Sequence, residues 1–244
     1  MTPDRILGKL DEYLNKNDHT SAERHLVYWL GEAKLNGNKR TELLVQNELV
    51  GLYRKLGRRD DALDSVASAL CLIESMGAEK QVGSATVYLN CATAYKAFGE
   101  TKRSLALFIK AREIYEKELP PTDPRLAGLY NNMGLTLVDL GRFDEANGLY
   151  LKAVKIAKGT LDEAITYLNM ASAAEAEMGL LESEEKVNKY LDIAENILEV
   201  HGQRDGYYAF VCEKCASVFG YYGRFLYEKQ LKERAERIYR NERS

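Results

Sequence analysis

Residues Leu129–Val154 read LYNNMGLTLVDLGRFDEANGLYLKAV. On each side of Gly141, apolar residues recur three and four apart, the spacing that gives a helix one buried face. Glycine is the residue that most readily takes the left-handed conformation ending a helix. The stretch therefore predicts two helices joined by a tight turn. Asn131 and Asn132 stand side by side in the first of them, although asparagine is a poor interior helix residue because its short amide competes with the backbone.

The hairpin is repeated. Gly57 sits in LYRKLGRRDDAL, Gly99 in AYKAFGETKRSL and Gly141 in TLVDLGRFDEAN, at two successive spacings of 42 residues. Gly179 follows after 38 and Gly223 after 44. Around the first three glycines the pattern matches in detail. A bulky residue stands four before the turn (Tyr53, Tyr95, Leu137) and a small or medium one seven before (Val50, Ala92, Gly134). Beyond the turn come Ala62, Ser104 and Ala146, then Ala69, Ala111 and Ala153. Small residues let helix backbones approach closely while the bulky ones fill the remaining space. Asp60 and Asp144, just past their turns, are placed to cap the next helix.

The expected map is about twelve helices in antiparallel pairs. An N-terminal pair spans roughly 3–15 and 19–35, four pairs span 41–77, 81–119, 124–158 and 161–200, and a last pair spans 206–241. ELPPTDPRL, 118–126, is the clearest break: its prolines stop one helix, and Pro124 can open the next. One helix pair cannot bury its apolar faces alone, so the pairs must stack. We read 1–244 as a single superhelical domain, with a capping pair at 1–40, four repeats over 41–200 and a final pair or cap over 201–244.

These positions resemble the tetratricopeptide repeat, in which an aromatic, a Leu-Gly pair and a tyrosine precede a turn glycine, and an alanine, an aromatic and a second alanine follow. Tyr130, Met133-Gly134, Leu137, Gly141, Ala146, Tyr150 and Ala153 take those places in order. The preceding copy has Tyr88, Cys91-Ala92, Tyr95, Gly99, Ser104, Phe108 and Ala111; the one before has Gln46, Leu49-Val50, Tyr53, Gly57, Ala62, Val66 and Ala69. The fourth copy departs: Glu175 replaces the tyrosine, and its second helix is shifted, with Ala194 as its last alanine. In the N-terminal pair Ala22 and Trp29 take the small and last-alanine places, and the final pair keeps Ala216, Gly223 and Ala235. The usual period is about 34 residues, so these copies are longer by about two helical turns. In that they resemble kinesin light chain and some bacterial regulators that sense peptides. The resemblance implies an all-α, right-handed α-solenoid whose inner helices line a concave groove for a peptide or protein segment.

On the inner helices the asparagines form a ladder: Asn47, Asn90, Asn131 with Asn132, and Asn169. An amide both donates and accepts, so it can pair with the backbone of an extended peptide regardless of sequence. Two other readings stay open: the amides bond to the next helix pair and hold the stack, or they are solvated surface. Arg54 and Lys96, on successive repeats, are the cationic groove candidates, able to hold a carboxylate. Glu48, Asp139, Glu175 and Glu177 bring acidic character.

The formal net charge of −3 shows no global basic footprint, and no nucleic-acid partner is expected. The first residues, MTPDRILGKLDEYL, do not read as a signal peptide, and no window suggests a transmembrane helix. With only 4 cysteines, these features point to a reducing, cytoplasmic setting and no membrane partner. No nucleotide loop, HExxH or GxSxG is present, so neither catalysis nor a cofactor nor a metal is expected. CEKC, Cys212 to Cys215, would be the centre of an alternative metal or thiol-redox reading, but one CxxC lacks the usual four zinc ligands. A further alternative is an oligomeric assembly protein binding through its ends or convex face. The aromatic segment YYGRFLYEK, with Tyr207 and Tyr208, marks one end through which a homodimer is possible.

Overall fold

A computed structural model describes residues 2–241. These form twelve helices and no strand: α1 (Pro3–Asn15), α2 (His19–Leu35), α3 (Lys39–Lys55), α4 (Arg59–Ser75), α5 (Val82–Ala97), α6 (Thr101–Glu118), α7 (Pro124–Asp139), α8 (Phe143–Ala157), α9 (Leu161–Met178), α10 (Leu180–Val200), α11 (Gly206–Tyr221) and α12 (Phe225–Asn241). The fold is an all-α helical repeat. Two compact units divide the chain, Met1–Leu119 and Pro120–Ser244, and the division falls in the proline segment 118–126.

Turn chemistry sets the hairpins. Gly57 has φ +69° and Gly141 φ +70°. Behind each, two backbone bonds close the helix end. The Arg58 N–H donates to Tyr53 O at 2.9 Å and the Gly57 N–H to Arg54 O at 3.2 Å. At the other turn, Arg142 N–H donates to Leu137 O and Gly141 N–H to Val138 O, both at 2.9 Å. This is the Schellman arrangement, which satisfies carbonyls that a helix otherwise leaves orphaned. It also corrects one expectation. The arginine after the glycine becomes the N-cap of the next helix, with no side-chain cap bond. Asp60 and Asp144 therefore lie inside the first turn, where they complement the helix dipole rather than cap it. Side-chain caps occur instead at Asp18, Asn38, Asp123 and Asp205. Between α1 and α2 the left-handed residue is Asn17, at φ +54°, so a search for glycines passes over that turn.

In the first unit α1 packs on α2, α3 on α4 and α5 on α6, while α3 also packs along α5. In the second unit the pairs are α7 with α8, α9 with α10 and α11 with α12, and α9 lies against both α7 and α11. Each unit thus brings the first helices of successive pairs side by side. The core of the second unit runs from Leu161 through Leu191, Tyr208 and Phe219 to Ala235. Fully burying a side chain of the Leu or Phe class contributes about 1.5–3 kcal/mol, so each added pair has to be sealed by its neighbour.

Packing positions behave as their sizes demand. At Gly134 a Cβ would lie 2.5 Å from Tyr150 Cε1. The small residue is required there because the ring of α8 rests on the backbone of α7. The equivalent places hold Ala92 with Phe108 and Val50 with Val66, all fully buried. As the residue on the first helix grows, the one on the second shrinks. In the fourth copy Gly179 both ends α9 and opens α10, with no residue between turn and helix. Ser183 and Ala194 of α10 are both fully buried.

Candidate functional site

The first helices of successive pairs meet along polar seams, and the asparagines lie in them. In the first unit Asn90 on α5 donates from Nδ2 to Asn47 Oδ1 on α3 at 2.9 Å. Asn47 Nδ2 in turn donates to Glu48 Oε1 at 3.2 Å. Burial raises the Glu48 pKa, and the bond from Asn47 opposes that. In the second unit Asn169 on α9 donates to Asn131 Oδ1 on α7 at 3.2 Å, and Asn131 donates to Thr166 Oγ1 on α9 at 2.8 Å. The Thr166 hydroxyl in turn donates a hydrogen bond to Asp162 O. Asn132, 100° further round the helix, donates to Gly128 O within α7 at 3.0 Å.

The amides are thus shared between stacking and open capacity. Asn131 is buried; Asn47, Asn90, Asn132 and Asn169 are half-buried. Each amide offers two donors and a carbonyl with two lone pairs. Among the described residues, Asn90, Asn132 and Asn169 each spend a single N–H, and their Oδ1 atoms take part in no bond. Asn131 is the most committed, with donor and acceptor both engaged.

The cationic candidates sit in the last turns of their helices. Arg54 is exposed on α3 and Lys96 half-buried on α5. Arg54 follows Asn47 by seven residues and shares its side of the helix, whereas Lys96 follows Asn90 by six and is turned away by about 120°.

Two features were missed in the sequence. The seam between α9 and α11 is made of carboxylates and phenols. Tyr207 Oη donates to Asp162 Oδ1 at 2.7 Å, while Tyr221 and Tyr222 donate to the two oxygens of Glu175 at 2.6 and 2.7 Å. Glu175, which replaces the family tyrosine, therefore serves the next repeat rather than a groove charge. Tyr207 and Tyr222 have raised pKa values from burial and from their carboxylate acceptors. The second feature is the arginine after the turn glycine. Arg58 donates to both oxygens of Glu23 on α2 at 2.8 Å and lies 4.5 Å from the Tyr53 ring. Arg224 reaches Asp192 at 2.6 Å and Glu195 at 2.7 Å on α10. The recurring Gly-Arg at 57–58, 141–142 and 223–224 was the available signal.

CEKC lies inside α11. Cys212 and Cys215 are buried, and burial pushes Cys215 up to about 12 and raises Cys212 as well. A reactive thiol needs the opposite shift. Cys91 is likewise pushed up to about 12, while Cys71 is exposed rather than packed. Among the described residues no group of three or more His, Cys, Asp or Glu side chains could hold a metal ion. None of their helices is long and apolar enough to cross a membrane.

With this geometry in view, comparison identifies the repeat. Residues 85–159 match the family described as tetratricopeptide repeat. The Arabidopsis thaliana protein KINESIN LIGHT CHAIN-RELATED 3 is 25% identical over 180 residues, covering 72% of this chain but only 26% of that protein's length. The crystal structure of BtubC (BKLC) from P. vanneervenii has a TM-score of 0.70 at 21% identity, over 82% of each chain. A Rap protein complexed with Competence and Sporulation Factor has a TM-score of 0.59 at 14% identity, over 98% of this chain and 66% of that one. Over residues 85–159 the helix pairs match tetratricopeptide repeats. The helical-repeat fold of the described residues is similar to that of kinesin light chain-like proteins.

Proposed function

We propose that the chain is a binding scaffold that holds an extended peptide or protein segment along the exposed side of its first helices. The observation that carries this reading is the set of half-buried amides at Asn90, Asn132 and Asn169, whose carbonyls have acceptor capacity left after the stack is bonded. They recur in sequence, one per repeat. Arg54, on the Asn47 side of α3, supplies positive charge to a segment's carboxylates. The Rap protein complexed with a factor shows that a similar helical array accommodates a partner.

Asn131 and Asn132 separate this role from stacking. Asn132→Ala removes an amide bonded only within its own helix, so stability stays within about 0.5 kcal/mol. Asn131→Ala breaks a buried seam and costs about 1–3 kcal/mol. A library of displayed peptides selected on the wild-type chain supplies the ligand, and its affinity is then measured on both variants. Loss of affinity in Asn132→Ala at unchanged stability supports the reading. Full affinity in an Asn90→Ala/Asn132→Ala chain that remains folded overturns it.

A further inference from the structure

The outer face of α2 departs from those of the second helices that follow it. Ala22, Ala62 and Ser104, all fully buried, mark the same place in α2, α4 and α6. Counted from them, three outward places on successive turns hold Ser68, Cys71 and Ser75 in α4. In α6 they hold Lys110, Glu113 and Lys117. In α2 they hold Tyr28, Gly31 and Leu35. Tyr28 is 59% exposed, Leu35 85% and the adjoining Val27 50%, so α2 shows water the apolar surface that α4 and α6 replace with polar groups.

Gly31 stands in the middle of this stripe, one turn beyond Tyr28. A Cβ added there meets nothing within 4 Å, so no neighbour in the chain requires the glycine. Glycine inside a helix is nonetheless destabilising relative to alanine. The Tyr28 ring stands edge-on to Trp29 with centroids 5.1 Å apart, which holds it as a fixed projection beside the open space. Two charges border the stripe. Arg24 is exposed and Glu32 half-buried, and neither takes part in an ion pair among the described residues.

We propose that this face is covered by α2 of a second copy of the chain, lying antiparallel to the first about a twofold axis. The same helix, reversed, supplies both halves of the fit. An axis between Tyr28 and Gly31 seats each Tyr28 ring in the space over the other copy's Gly31, as a self-complementary contact requires. One contact then uses both projecting rings and both missing Cβ atoms. The charges agree with that register. Arg24 comes within about 4.5 Å, along the helix axis, of the partner's Glu32. It also lies beside the C-terminal end of the partner's α2, whose partial negative charge it complements. Leu35 packs on the aliphatic stem of the partner's Arg24.

Sedimentation velocity of the full chain from roughly 10 µM to about 1 mM reads the association, which is weak because one helix per copy buries less than the ~800 Å² per partner of a standard interface. A reversible equilibrium that stops at the dimer is expected, since a twofold contact closes on itself. Gly31→Leu fills the space over which the ring sits and should raise the dissociation constant at least about tenfold. Its Tm should stay at or above the wild-type value, because the position has open space within its own chain and leucine is the better helix former. Arg24→Glu sets like charges together at the contact and should weaken the dimer as well. The exchanged pair Arg24→Glu/Glu32→Arg restores the attraction and should recover most of the affinity. A chain that stays monomeric at the highest concentration, or a dimer untouched by Gly31→Leu, overturns the proposal. So does association that grows past two copies, or an exchanged pair no tighter than Arg24→Glu alone.

Discussion

Adding one methyl group at Gly134 tests the packing of the repeat directly. In Gly134→Ala the new Cβ would stand 2.5 Å from Tyr150 Cε1, 2.8 Å from Cζ and 3.1 Å from Cδ1. Carbon atoms pack best at about 3.5–4.0 Å, so the ring must retreat by about 1 Å in a fully buried site. Overpacking of this kind costs about 1–3 kcal/mol. Exchanging glycine for alanine inside a helix returns up to about 1 kcal/mol. The expected net loss is about 1 kcal/mol, or about 2–4 °C in Tm for a chain of this size. Tyr150→Phe alone should be neutral to stabilising, because it removes a buried hydroxyl that has no partner. The ring carbons that crowd the new Cβ are kept in phenylalanine, so relief in the double variant comes only from the room the lost hydroxyl leaves for the ring to shift, toward the Ala92 and Phe108 pairing of the preceding repeat; it should recover part of the loss. Urea unfolding of all four chains, with slopes compared, gives the coupling. Additivity within about 0.3 kcal/mol, or a Gly134→Ala chain more stable than wild type, would refute the size-exchange argument.

Two further outcomes follow from burial and charge. In the folded chain a thiol reagent should modify Cys71 quickly and Cys91, Cys212 and Cys215 only on unfolding; prompt reaction at CEKC would contradict their burial. Stability should also fall in acid. Asp123 caps α7, and its bonds from the Arg125 side chain and backbone hold its pKa at about 2, below the ordinary 3.8. Its folded pKa is depressed, so its contribution is fully present above the unfolded value and is lost as pH falls through about 2. Glu199, lowered chiefly by Arg234, has the same sign. Asp123→Asn should flatten the stability slope between about pH 4 and pH 2, and an unchanged slope by urea titration would remove Asp123 from the account.

The helices were readable because their determinants are local. Each turn glycine, each alanine at a helix crossing and the prolines near residue 120 act on their own segment, and the helix ranges follow from them. Seams depend on helix phase and reach, which a sequence shows only coarsely. Asn47 and Asn90 are 43 residues apart, one out of step with the period, yet their flexible amides meet. Asn17 escaped as a turn residue because asparagine takes the left-handed place less often than glycine. Glu175 read as a groove charge because its acceptor role depends on Tyr221 and Tyr222, residues of the following repeat.

The seams differ in one respect that bears on how such an array is assembled. Asn47 and Asn90 are the same residue on both sides of their junction, each able to donate and accept. A copy carrying that asparagine can be duplicated, and the duplicate seats on its parent without a compensating change. The junction of α9 with α11 is keyed instead: the acceptors Asp162 and Glu175 stand on α9, and the phenols that satisfy them on α11 and the residue that follows it. Exchanging those two helices in chain order would set phenols against the amide of Asn131 and strand Glu175 at the new end. Repeat order is therefore interchangeable at the first kind of junction and written into the side chains at the second, and shuffling repeats should be tolerated accordingly.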